Sequence, residues 1–361
     1  MSDQGVRPST VPLTSAQIKD AADPQYVRID GANRPPHVFN NALMNPSFDW
    51  WQRGNGPFTV SGSFGPDRWR QFFTTTGSIA RRVLSIGDAP TQSRLSATFT
   101  CSGQAAAGDF YLAQQTIEDC LTFAGKRVLV RGLVALLSGP VGSKIGIELE
   151  RNYGSGGSAI EQFYAGQVVL TGVLTPFAVW VDLPSVAGKV LGPSDNGNLN
   201  LNIFLSAGSN YNARTNNLGL QNIAIQLVDV EVKEIKPGYG DQFPGFERLP
   251  KFLDLINCLR YYQTGAFKSG IGGNNGSGAY NAAYIGGTCP LPVLMRISPS
   301  VVFFDVVGNL GVVTTGTGNN VGLTAGGVSM LHPGAINVDA LLSTGNANNW
   351  FYFGFRLTAE L

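Results

Sequence analysis

Between about Asn41 and Lys236, apolar and polar side chains alternate in short runs, each closed by glycine, asparagine or aspartate. Ile145, Ile147 and Leu149 interleave with Gly146, Glu148 and Glu150, and Leu227 to Lys233 keep the same period of two. Successive side chains on a strand point to opposite faces, so this period predicts strands with one face in a core. Roughly nine segments follow one another: "DRWRQFFT", "RRVLSI", "SRLSATFTC", "DFYLAQQT", "KRVLVRGLVALL", "SKIGIELERNY", "AGQVVLTGVLTPFAVWVDLP", "LNLNIFLSAG" and "QNIAIQLVDVEVKEI". With turn residues between them, they predict an all-β, antiparallel sandwich.

The period changes once, in "LPKFLDLINCLRYY" (249–262). Pro250 suits a first helical position, and Phe252, Leu255 or Ile256, Leu259 and Tyr262 fall at helical spacing. That stripe would pack on the flanking β-domains or form a short seam between copies. Residues 264–361 return to strands and glycine loops, predicting a second, smaller β-domain. Residues 1–38 are polar and proline-punctuated, with one short helix expected at 16–22, after Ser15. This segment is either a free tail or an arm that orders by docking on a partner. The expected division is therefore 1–38 arm, 39–240 sandwich, 241–263 linker helix and 264–361 C-terminal β-domain.

Composition adds two constraints. Charged residues make up 14% of the chain against about 25% in ordinary soluble domains, which suits a surface partly buried against copies of itself. A net charge of +1 argues against nucleic-acid binding, which calls for a basic stripe. The N-terminus lacks a signal-peptide apolar stretch, and "VLVRGLVALL" is short and broken by Arg131, so a soluble chain made in the cytoplasm, without membrane insertion, is expected. Cys101, Cys120, Cys258 and Cys289 form no CxxC and are expected to be reduced and buried.

Catalytic signatures are missing. His37 and His332 have no nucleophile set around them, and no phosphate loop or H-E-x-x-H occurs. Glu148 and Glu150 share one strand face, where a solvated surface is expected rather than an acid–base pair. In "NPSFDWWQRG", Trp50 and Trp51 are adjacent, so a strand would send one into the core and one outward.

The order of short motifs resembles a family of bacteriophage tail-fibre and head-spike proteins, found also in phage-like gene transfer agents. "NALMNPSFDWWQRG" matches N-x-x-x-N-x-x-F-x-x-W-Q-R-G through Asn41, Asn45, Phe48, Trp51, Gln52, Arg53 and Gly54. Asp67, Arg68 and Trp69 match the last three residues of "ADRW". Cys258, Arg260, Tyr261 and Tyr262 match "L-C-Q-R-Y-Y", with Leu259 in place of Gln. Met295, Arg296 and Pro299 match "M-R-x-x-P-T-V", with Ser300 in place of Thr, and Ala359, Glu360 and Leu361 match the last three residues of a closing "ADAEL".

The resemblance covers about residues 41–361. It implies a jelly roll like a carbohydrate-binding module and a homotrimeric, non-enzymatic subunit on the surface of a virion or phage-like particle. It further implies recognition of cell-surface polysaccharide, with a purely structural virion decoration or connector protein without glycan binding as the alternative. Residues 1–38 lie outside the resemblance and, being too polar and proline-broken to fold alone, are expected to attach the chain to a virion structural protein. Trp51 is expected in the jelly-roll core, and Trp50 under the arm, the helix or a neighbour. On this reading the glycan-binding candidates are Asn152 and Tyr153 in "RNYGSGG", and Asn210, Tyr211, Asn212 and Arg214 in "GSNYNARTNN". No cofactor is expected beyond a structural Ca²⁺, for which Asn45 and Asp229 are the candidates, against a hydrogen-bonded turn and a surface aspartate.

Overall fold

The computed structural model describes residues 41–85, 91, 93–194, 196–235, 246, 248–270, 284–315, 320–332, 335–342 and 350–360. Asn41–Leu361 hold together as one compact unit. The expected attachment arm, its helix at 16–22, and His37 lie outside the described residues.

Among the described residues, ten strands build the sandwich: β1 (Trp69–Phe73), β2 (Thr76–Val83), β3 (Leu95–Ser102), β4 (Phe110–Glu118), β5 (Arg127–Ser138), β6 (Lys144–Asn152), β7 (Glu161–Val169), β8 (Thr175–Asp182), β9 (Asn198–Ala207) and β10 (Ala224–Glu234). They form two antiparallel five-stranded sheets, ordered β1-β4-β9-β6-β7 and β2-β3-β10-β5-β8. The seventh predicted segment is two strands, because Leu170–Leu174 turns between β7 and β8. The predicted inward positions Ile145, Ile147 and Leu149 lie between the sheets, where they, Leu199, Leu201, Ile203, Ile225 and Leu227 are fully buried. Cys101, Cys120 and Cys258 are free and buried, as expected of small hydrophobes.

The Leu227–Lys233 alternation is broken by a bulge. Asp229 sits at φ +53°, and the pairing register to β5 shifts between Val228 and Glu231. The extra residue changes the phase, so that Val230 and Val232 face the core as Leu227 does.

The opening "NPSFDWWQRG" is a series of turns rather than a strand. Trp51 still reaches the core, and its indole N–H donates to the Phe48 carbonyl at 2.7 Å. Trp50 is half-buried, beside the Asp254 carboxyl of the helix. A short turn, α1 (Asn212–Thr215), follows β9, and α2 (Lys251–Leu259) follows the sandwich. Helix α2 is shorter than its spacing predicts: Pro250 precedes it, and Tyr262 opens the next strand. It also turns a different face inward. Asp254 and Cys258 are buried, while Phe252 is 70% exposed.

The C-terminal region comprises β11 (Tyr262–Gly270), β12 (Tyr284–Pro290), β13 (Ser300–Phe304), β14 (Val312–Thr315), β15 (Asn320–His332), β16 (Ala335–Leu342) and β17 (Trp350–Thr358). Its strands pair antiparallel in the order β11-β17-β14-β15-β16-β12, with β13 also on β17. The class is all-β, an antiparallel sandwich with a smaller C-terminal β-domain.

The family-like motifs converge where the sandwich meets this region. The Asn45 side chain donates to the carbonyls of Trp50 (2.8 Å) and Asp67 (3.1 Å), and its backbone N–H donates to Asp254 Oδ1 (2.8 Å). Arg53 and Arg68 both hold the Glu360 carboxylate. Arg53 also lies over the Tyr262 ring at 3.8 Å and Arg68 over the Tyr261 ring at 3.4 Å. Ala359 N–H donates to the Tyr261 carbonyl (2.7 Å), and Arg296 N–H to the Arg260 carbonyl (2.8 Å). These motifs weld one β-region to the other.

Candidate functional site

The outer face of the sheet β1-β4-β9-β6-β7 is polar along its length. On β9, Leu199 and Leu201 turn inward while Asn200 and Asn202 turn outward. Pairing registers set the outward residues in rungs. Arg70, Gln114, Asn202, Glu148 and Tyr164 make the first. Thr116, Asn200, Glu150 and Gln162 make the second, and Glu118, Asn198 and Asn152 the third. Rungs two residues apart are separated by about 6.7 Å.

Hydrogen bonds run along the rungs. Arg70 Nε donates to Gln114 Oε1 (2.8 Å), Gln114 Nε2 to Asn202 Oδ1 (2.8 Å), and Asn202 Nδ2 to Glu148 Oε1 (2.9 Å). In the second rung Thr116 Oγ1 donates to Asn200 Oδ1 (2.8 Å), Asn200 Nδ2 to Glu150 Oε1 (3.2 Å), and Gln162 Nε2 to Glu150 Oε2 (3.3 Å). Arg214, on α1, closes the network with Nε on Glu148 Oε2 (2.9 Å) and Nη2 on both Glu148 Oε1 (2.6 Å) and Glu150 Oε2 (2.9 Å). Glu148 is fully buried, so it does not lie on a solvated strand face as the sequence leads one to expect. A buried carboxylate needs such a partner, and the forked guanidinium supplies it.

The result is a rigid amide-and-carboxylate floor with aromatic margins. Tyr164 is half-buried at the β7 end, and its hydroxyl makes no hydrogen bond among the described residues. Phe72, also half-buried, lies at the β1 end with Arg70 5.0 Å from its ring centroid. Next to the third rung is a cleft of about 510 Å³, lined by Asn152, Asn196, Asn198 and the 154–160 loop, with Arg296, Ile297 and Glu360 of the C-terminal region.

The predicted site residues divide. Asn152 lines the cleft and Arg214 clamps the floor. Tyr153 is a correction: it is fully buried, its hydroxyl donates to Glu161 Oε2 (2.6 Å), and no ring face is left for a sugar. Tyr211 packs against Phe110, ring centroids 5.0 Å apart, and Phe204 at 6.4 Å. Asn210 and Asn212 stand on the same turn at the floor's rim. The two calcium candidates are already engaged. Asn45 Oδ1 accepts the Trp50 N–H (3.0 Å), and Asp229 accepts the hydroxyls of Ser47 and Ser93, each at 2.7 Å, and of Thr91. Asp229 is buried, not a surface residue. Among the described residues, no cluster of three His, Cys, Asp or Glu is gathered for a metal.

Sequence reasoning passed over Tyr164, Asn200 and Asn202, and named Arg296 only as a motif residue. One signal was present: asparagine is depleted in strands, yet "NLNLN" sets three of them on one face.

No protein-family model matches the sequence, and no curated protein matches it. Among solved structures, the chain is similar to the enzymatically active domain of bacteriophage CBA120 tailspike protein 4, at 12% identity and a TM-score of 0.32 over 54% of this chain. The match spans 21% of that tailspike chain. It is also similar to the CBM22-2 xylan-binding domain of Paenibacillus barcinonensis Xyn10C, at 15% identity and a TM-score of 0.31, covering 50% of this chain and 100% of that one. A third is the family 11 carbohydrate-binding module of the Clostridium thermocellum cellulase Lic26A-Cel5E, at 6% identity and a TM-score of 0.31, covering 50% of this chain and 96% of that one.

Proposed function

We propose that the chain is a non-enzymatic fibre or spike subunit of a phage or phage-like particle that binds bacterial cell-surface polysaccharide. The observation that carries the binding half is the rung network: a pre-organised polar floor with Tyr164 at its margin. Sugars present hydroxyls on their edges and apolar C–H patches on their faces, which suit amide and carboxylate groups and an aromatic ring respectively. A floor whose side chains are already fixed loses little entropy on binding. Glu148 and Glu150 are both bound to Arg214 and to asparagine amides, a structural assignment that fits binding without hydrolysis. The particle half rests on the motif order, with homotrimer formation and attachment through residues 1–38 as parts of the same proposal.

The test is retention on immobilised bacterial surface polysaccharides. The expected result is retention of the protein by at least one polymer, whose viscosity stays constant. Tyr164→Ala is expected to weaken that binding by ~1–3 kcal/mol, the range for uncovering a side chain of that size. Retention by no polymer, or full-strength binding by the Tyr164 variant, rejects the floor as a glycan site.

A further inference from the structure

We infer that the cleft beside the third rung is a subsite for a sugar carboxylate, so that the glycan recognised is an acidic one. This rests on the glycan-binding reading and names the chemical class it selects. The argument starts from charge. Arg296 Nε pairs with Glu118 Oε1 at 3.1 Å, and Arg260 Nη1 with Glu118 Oε2 at 3.2 Å. Two guanidinium groups share one carboxylate, which leaves one positive charge without a counter-charge among the described residues. Glu360, the acid in the cleft wall, does not supply it, because Arg53 and Arg68 already divide its two oxygens.

Geometry points the same way. The Arg296 side chain is only 16% exposed and lines the cleft. With Nε on Glu118, its two terminal amines make no hydrogen bond among the described residues. A planar guanidinium end that opens on the cleft matches a carboxylate with two parallel bonds. Across the cleft, Asn198 Oδ1 is buried and accepts no hydrogen bond. Ser158 Oγ accepts the Val190 N–H at 2.9 Å, which leaves the hydroxyl proton to give. A forked cation, a vacant amide oxygen and a hydroxyl donor therefore face one space of about 510 Å³. That volume lies within the roughly 300–1,000 Å³ of small-molecule sites. A carboxylate carried on a ring with neighbouring hydroxyls satisfies all three, the hydroxyls donating to Asn198. A neutral sugar leaves the guanidinium unpaired. The third rung continues the floor, so a chain lying across Tyr164 and the rungs would bring such a residue to Arg296.

The experiment is an array of bacterial capsular polysaccharides, divided into uronic-acid-containing and neutral polymers, with each acidic polymer also printed after chemical reduction of its carboxyl groups. Uronic-acid polymers are expected to be retained, and carboxyl reduction to weaken binding at least tenfold. Arg296→Gln is expected to reproduce that loss on the native polymer and to add none on the reduced one, while Arg296→Lys, which keeps charge but not the fork, falls between. Glu118→Gln removes the competing carboxylate and is expected to hold or strengthen binding. Equal binding to native and reduced polymers overturns the inference. So does a loss in Glu118→Gln as large as in Arg296→Gln at an unchanged melting temperature, since that marks a scaffold and not a subsite. Retention by neutral polymers alone, dependent on Tyr164, overturns the carboxylate subsite and leaves glycan binding standing. Retention by nothing overturns both.

Discussion

Asp254 is a buried carboxylate. It is 5% exposed, accepts the Asn45 N–H, and burial pushes its pKa up to about 6. A carboxyl group whose pKa is raised on folding stabilises the folded state while protonated, below its unfolded value of about 4. That contribution is lost as pH climbs through about 6, so the ionised group costs stability at neutral pH. Two units correspond to about 3 kcal/mol. Asp254→Asn keeps an acceptor for Asn45 and carries no charge. It is expected to remove the fall in urea-unfolding stability between pH 4 and 6 and to leave the variant the more stable protein at pH 8. An unchanged pH slope would assign that dependence to another group.

At the scale of elements, the short turn α1 does more than its length suggests. It brings Arg214 over β6, where Glu148 and Glu150 would otherwise be adjacent uncompensated acids. Arg214→Ala leaves the buried Glu148 without its cation and is expected to cost about 3 kcal/mol in urea unfolding, the scale on which breaking a buried pair is felt. Adding Glu148→Gln to that variant is expected to recover most of the loss, because a neutral amide can stay in the rung with Asn202. A double variant no more stable than the single one would mean that packing, not charge, governs α1. Helix α2 makes a related point. Its spacing suggested a stripe through Phe252, but its buried residues, Asp254 and Cys258, face a pocket already made by Asn45 and Trp50. Phe252, 70% exposed, is a surface residue within this chain.

Over the whole of Asn41–Leu361, the weld couples two β-regions that are distant in sequence. Arg68 holds a positive φ of 71°, an arrangement a non-glycine residue keeps only when its surroundings fix it. Glu360, the Tyr261 ring and the Thr116 carbonyl, 2.7 Å from Nη2, do so. Glu360→Ala leaves two sheltered guanidinium groups facing each other without their shared anion. The expected result is a loss of about 3–5 kcal/mol and a calorimetric trace that divides, with the C-terminal region melting first. A single transition at the wild-type temperature would show that the weld is not what couples the two regions.

The sequence by itself determined the class, most of the sandwich strands, the inward set on β6, and the buried state of Cys101, Cys120 and Cys258. These follow from the period-two pattern, which acts locally and survives without knowledge of partners. It also held the motif residues, though not their purpose, since Asn45, Arg53, Arg68, Tyr261 and Glu360 meet only because residues up to some 300 positions apart fold together. The binding floor was legible only in fragments. "NLNLN" places asparagines on one face, but which strands lie beside β9 is a matter of topology, and so is the pairing of Tyr164 with Glu148. Tyr153 failed as a candidate for the same reason: a tyrosine in a glycine-rich stretch reads as exposed, and only the tertiary structure buries its ring and turns its hydroxyl to Glu161. The phase of β10 was decided in space as well, because one extra residue at Asp229, held by Ser47, Thr91 and Ser93, exchanges the two faces of the strand beyond it.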